Sequence, residues 1–292
     1  MTNVTNTSNK YTTNMATKAR PKVYVLDNGV ITADENWFFS MNNPAVPGQP
    51  YEPKFMRMPI FTVLIDHPEG KILFDTACNP DSMSPGGRWD PFTQALFPWH
   101  AKEEDYLHNR LEQLNVRPDD IKYVVASHLH LDHVGCLDMF KKSTIICHDD
   151  EFTAAMKSYG LNHRAGGPYF WNDTDAWLKA NLQWDLIKRD EDYIELVEGV
   201  RILNFGSGHT MGMLCLELDL PETGKVILGS DLAYSKESVG PPARVPVLVH
   251  DTVGYVNATE RIRRLPKSTQ VWYSHDSENF EKLVKSTEGY YE

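Results

Sequence analysis

The sequence predicts an α/β protein: two β-sheets packed face to face with helices on the outside. Three observations carry this expectation. Short apolar runs with strand character occur in both halves of the chain, helical patterns lie between them, and no interior linker or short-period repeat divides it. A single domain over residues 22–292 follows. Residues 1–21 are rich in Asn and Thr and hold no acid, which reads as a disordered polar tail.

The elements follow in order. "KVYVLDNGVI" from Lys22 alternates like a strand, and the polar, Pro-rich residues 40–54 read as a long loop. "PIFTVLIDHPEGKILFDTA" reads as a β-hairpin closing on Asp75. Residues 79–100, rich in Pro, Gly and aromatics, read as a surface excursion. Leu107, Leu111 and Leu114 have helical spacing, and "IKYVVAS" is a short buried strand. "STIICH" reads as a strand and "DDEFTAAMKSYG" as a helix capped by Asp149 or Asp150 and stopped at Gly160. Residues 160–185 read as irregular. Strands "VRILNF", "MLCLELDL" and "KVILGSD", a helix near 252–265, a strand "QVWYS" and a helix from Asp276 complete the chain.

Composition narrows the function. Of 292 residues 41% are hydrophobic, enough for a sizeable core. A net charge of −11 without a basic run disfavours a nucleic-acid partner. Cys78, Cys136, Cys147 and Cys215 are scattered and read as reduced thiols. No apolar stretch reaches the length of a membrane span, and no secretory core opens the chain, so no membrane partner and a cytoplasmic location are expected.

The chemistry concentrates in "SHLHLDHVG", residues 127–135. His128, His130 and His133 cannot share one face of a strand, but a loop turning into a helix lets them converge with Asp132. Imidazole and carboxylate suit borderline divalent metals, and a pair of ions needs further ligands. Downstream strand ends supply them: His209 in "GSGHTMG", Asp231 in "GSD" and His275 in "YSHD" each follow an apolar run and a small residue. So many uncompensated His and Asp side chains would be costly without an ion. His67, His100, His108, His148, His163 and His250 read instead as hydrogen-bonded surface or core groups. Asp75 reads either as a turn former or as a group orienting a ligand loop.

HxHxDH, a downstream Gly-His-Thr, an Asp after a strand and a late His together resemble the metallo-β-lactamase superfamily from about residue 22 to the C-terminus. The resemblance implies an αββα sandwich with a two-metal site along one sheet edge. By motif position one ion would take His128, His130 and His209, the other Asp132, His133 and His275, with Asp231 bridging. Zinc is the expected metal; cobalt, manganese or iron would fit the same donors.

Within the superfamily, class B β-lactamases resemble this chain less, several having Cys where Asp231 stands. Glyoxalase II enzymes carry a basic C-terminal region that is missing here, and RNA-processing members carry basic surface. Flavin-dependent di-iron members have a carboxylate where His130 stands. "SHLHLDH" and "SDLAYSKE" look like the N-acyl-homoserine lactonase branch, the latter placing Tyr234 three residues after Asp231. "YSHDSENF" resembles 4-pyridoxolactonase, so a lactonase for another ring, or a thioester hydrolase, is the alternative. Cys136 and Met211 stand beside the ligands where that branch has Gly and Pro.

The implied reaction is attack on the lactone carbonyl by a hydroxide that bridges the two ions, with Tyr234 as hydrogen-bond donor to the carbonyl oxygen and Asp132 as proton carrier. Leu131, between ligands, is expected to face substrate. Trp37, Phe38 and Phe39 with the 88–99 segment offer apolar surface, either a groove for an acyl chain or a homodimer interface.

Overall fold

The computed structural model describes residues 20–164 and 167–292, so residues 1–19 of the polar tail lie outside the described residues. The first sheet holds β1 (Lys22–Asp34), β2 (Phe55–Asp66), β3 (Lys71–Phe74), β4 (Trp99–His100), β5 (Ile121–Val125), β6 (Thr144–His148) and β7 (Gln183–Ile187), in the order β4-β1-β2-β3-β5-β6-β7. The second holds β8 (Tyr193–Val197), β9 (Val200–Gly206), β10 (Met213–Leu220), β11 (Gly224–Ser230) and β12 (Gln270–Tyr273), in the order β12-β11-β10-β9-β8.

The period of two explains the layering. Tyr123 and Val125 of β5 point into the seam between the sheets, while Val124 and Ala126 point away from it. Leu214, Leu216 and Leu218 of β10 fill the seam from the other side, and Met213 and Cys215 face outward. Outside the first sheet lie α2 (Leu107–Gln113), α3 (Asp149–Gly160) and α4 (Trp171–Ala180), contributing Leu107, Leu111, Ala155 and Trp177. Outside the second lie α5 (Lys236–Val239) and α6 (Thr252–Arg263), contributing Val239, Ala258 and Ile262. The result is an αββα sandwich. Truncating one such core side chain costs about 2–5 kcal/mol, so the strand ends are firmly held. Two short helices complete the chain, α1 (Pro91–Leu96) and α7 (Ser277–Lys282), the latter capped by Asp276.

Three expectations need correction. Residues 160–185 contain α4 and the start of β7, because Thr174 and Trp177 bury one face of a helix that its polar residues disguise. The strand β8, between charged residues, is an element that the sequence reading does not name. The 79–100 excursion is half core: Trp89 and Trp99 are buried among Ile31, Met58 and Ala77. The cap of α3 is His148, whose Nδ1 accepts from the Asp150 N–H at 3.1 Å, ahead of either aspartate. Among the described residues no helix is long and apolar enough to cross a membrane.

Candidate metal centre

Strand direction brings the chemistry to one edge. β3 and β5 run parallel, so Asp75 and the 127–135 segment leave the first sheet at the same end. β9 and β11 both run antiparallel to β10, and β12 runs parallel to β11, so His209, Asp231 and His275 leave the second sheet together. The 127–135 segment winds through one tight turn, in which the His133 and Val134 N–H groups donate to the His130 carbonyl at 3.1 and 3.2 Å. It does not run into a helix as expected; a single 3-10 turn starts only at Leu137. Gly135 lets this turn pack on residues 77–79, since a Cβ there would lie 2.3 Å from the Asn79 backbone nitrogen. Asp75, Ala77 and Ser230 adopt left-handed φ of 60°, 54° and 46° around the same point, which marks a locally strained backbone held by its surroundings.

All seven expected ligands are brought together, in two groups. The donor atoms of His128, His130, His209 and Asp231 lie within 4.8 Å of one another, and those of Asp132, His133 and His275 likewise. Asp231 straddles the groups. Its Oδ2 is 3.7 Å from His128 Nε2 and 3.2 Å from His209 Nε2, while its Oδ1 is 3.4 Å from His133 Nε2 and 3.2 Å from His275 Nε2.

The rings are aimed by their other nitrogens. His128 Nδ1 is 2.9 Å from Ser127 Oγ, His133 Nδ1 is 2.9 Å from Asp75 Oδ2, and His275 Nδ1 is 3.1 Å from the Pro59 carbonyl. That leaves Nε2 of each facing the centre. His128 Nε2 and His133 Nε2 are buried with no hydrogen-bond partner, 3.7 and 3.4 Å from the Asp231 carboxylate. Orphaned buried imidazole nitrogens beside carboxylates are what a pair of divalent ions would satisfy, so the residues fit the group.

At His128 and His130 electrostatics point the same way. Burial drives the His128 and His130 pKa values well down, keeping them in the neutral, ligating form. Burial opposes charge on Asp231, but His275 and His133 outweigh it and hold the carboxyl well below the usual range. Burial, then Asp231 and Asp132, push the Tyr234 phenol well above its ordinary value, so it stays a donor. The Tyr234 ring lies 5.2 Å, centroid to centroid, from both His209 and His275. Asp132 is the least buried ligand, with Oδ2 3.5 Å from His275 Nε2.

A pocket opens on this centre. His130, Asp132, Asp231, Tyr234 and His275 line its floor, and Trp37, Phe38, Leu131, Phe97 and Phe170 line its walls. Leu131 thus faces the pocket, as expected. Phe39 does not; it is buried beneath the Arg244 guanidinium, 4.1 Å from its ring centroid. Cys136 and Met211 are also absent from the lining, and the Cys136 thiol donates inward to the Cys78 carbonyl.

Sequence reasoning missed the supports. Asp75 is one that it left open: its carboxylate accepts from the Ser127 N–H at 2.8 Å and the Ser127 hydroxyl at 2.9 Å. Ser230 Oγ joins this network 2.8 Å from Ser127 Oγ, and the Ser274 hydroxyl donates to Asp231. The signal was present: "ASH", "GSD" and "YSH" each place a serine directly before a ligand.

Comparison with known proteins agrees with this geometry. Residues 56–275, more than half of the chain, match the metallo-β-lactamase superfamily. The N-acyl homoserine lactonase AiiB of Rhizobium rhizogenes is 40% identical over 274 residues, covering 93% of this chain and 99% of that protein, and AiiB of Agrobacterium fabrum matches equally. Among solved structures, a Bacillus thuringiensis AiiA variant with N-decanoyl-L-homoserine bound at its active site superposes with a TM-score of 0.76 at 25% identity, over 94% of this chain and 100% of that one.

Proposed function

The chain belongs to the metallo-β-lactamase superfamily, and from that premise we propose that it is a metal-dependent lactonase opening the ring of N-acyl-homoserine lactones. The observation that carries the reading is the pocket itself, a polar floor of ligand-type residues and Tyr234 beneath an apolar wall. Such a site suits a substrate with a polar ring at one end and a hydrocarbon chain at the other.

His128, His130 and His209 would hold one divalent ion and Asp132, His133 and His275 the other, with Asp231 between them; zinc is the metal proposed, and cobalt, manganese or iron fit the same donors. Bound ions supply Lewis acidity and lower the pKa of water towards neutrality. The remaining work falls to the protein. Tyr234, kept protonated by its surroundings, donates to the lactone carbonyl oxygen as that oxygen gains charge. Asp132, at the pocket floor, carries the proton that the departing ring oxygen takes up. Net addition of water across the ring ester bond gives the N-acyl-homoserine. Leu131 and Phe170 keep bulk water from the acyl chain.

Metal analysis with a lactone panel tests this. About two ions per chain and proton release on mixing with butanoyl- to decanoyl-homoserine lactones are expected. Turnover of a pyridoxolactone or a thioester in preference to every acyl-homoserine lactone would overturn the substrate assignment.

A further inference from the structure

We propose that Glu151 is a positioning residue that locks three loops of the site together: the two that carry the histidines of the first metal group and the one that forms the outer pocket wall. Resting on the metal-site reading above, this adds a residue that neither holds an ion nor touches substrate. Glu151 lies in the first turn of α3 and is fully buried, and among the described residues no lysine or arginine pairs with it. Three donors converge on its two oxygens instead. Oε1 accepts from the Leu129 N–H at 3.0 Å; Leu129 stands between His128 and His130. Oε2 accepts from the Gly212 N–H at 3.3 Å, on the loop that carries His209. Oε2 also accepts from the Tyr169 hydroxyl at 2.9 Å.

Tyr169 extends the lock to the wall. Its flanking residues Gly167, Pro168 and Phe170 line the pocket, and its ring sits 5.9 Å from that of His130. A carboxylate suits the junction because it accepts on both oxygens and donates on neither. Glu151 thereby satisfies backbone donors of two ligand loops that come from different sheets, and fixes the distance between His128/His130 and His209. Gly212 contributes by shape: a Cβ there would lie 2.2 Å from the His148 ring, so only glycine lets this loop come close enough.

The test compares Glu151→Gln and Tyr169→Phe with the wild type as zinc-loaded and zinc-free full-length proteins. The amide of Glu151→Gln turns an N–H₂ towards donors and must release one loop, so zinc affinity, measured against a chromophoric chelator, should fall about 10- to 100-fold. The rise in melting temperature on adding zinc should shrink with it, whereas a carboxylate that served stability alone would lower both melting temperatures equally and leave that rise unchanged. Tyr169→Phe frees only the wall: zinc affinity stays as in wild type, while KM for the decanoyl lactone rises about fivefold and that for the butanoyl lactone does not. Wild-type zinc affinity in Glu151→Gln, or an equal change of KM for both chain lengths in Tyr169→Phe, would overturn the proposal. Should Glu151→Gln not fold, Glu151→Asp, which draws the carboxylate back by one methylene from the three donors, is read on the same zinc scale, with unchanged affinity again overturning it. Because zinc affinity is read without turnover, a protein that binds zinc but opens no lactone would refute the substrate assignment and leave the Glu151 result standing.

Discussion

On the floor of the pocket, the outward nitrogens of His128, His133 and His275 each meet a fixed polar partner, whereas the wall that faces them presents apolar side chains with no polar contact to aim them. The wall is held from behind: Arg88 pairs with Asp138 at 3.0 Å and with the buried Asp173 of α4 at 3.3 Å, pinning the segment that carries α1. The floor is therefore directional and intolerant, because a hydrogen bond or ligand bond fails at small displacements. The wall works by area and tolerates changes of shape at modest cost.

Substitutions on the two sides should differ accordingly. The largest loss is expected on the floor: Asp231→Asn removes the carboxylate that both groups share, and kcat/KM should fall by more than about a hundredfold with fewer bound ions by elemental analysis. Both metals retained at full activity would break the contrast. On the proposed mechanism Tyr234→Phe should lower kcat about a hundredfold while leaving metal content unchanged, since on that reading only the donor to the carbonyl oxygen is lost.

On the wall, the double variant Phe92→Ala, Phe97→Ala should keep kcat for the butanoyl lactone and lose about tenfold in kcat/KM for the decanoyl one. An unchanged chain-length preference would leave these rings as surface for a partner copy.

The smallest effect is expected behind the wall, and it depends on pH. Burial, opposed in part by Arg88, pushes the Asp173 pKa up to about 8 from an ordinary 3.8. The folded state therefore holds this proton more tightly than the unfolded chain does. Wild-type stability should fall as pH rises from about 4 through about 8, with the full penalty present above that window. Asp173→Asn keeps the shape without the charge, so its melting temperature should drop less than wild type between pH 5 and pH 8, by about 2 °C or more. Parallel melting curves would mean that Arg88 keeps Asp173 ionised throughout.

The floor was legible in the sequence because the candidate ligands lie in loops that follow apolar strand runs, and strands running the same way deliver such loops to one edge of a sandwich. His128, His130, Asp132, His133, His209, Asp231 and His275 could thus be picked out by residue type and placement alone. The serines at 127, 230 and 274 were visible in the same way and overlooked.

The wall and its supports were not legible, for a physical reason. Apolar side chains carry no directional signature, so Phe38 in the pocket and Phe39 beneath Arg244 look alike until packing separates them. Glu151 lies in "DDEF", where an acidic first turn of a helix explains all three carboxylates equally well. Chain order alone determined which groups can bind metal, because ligand chemistry belongs to the residue. Tertiary structure decided which carboxylate is buried among three donors, since that depends on segments 18 to 61 residues apart meeting at one point.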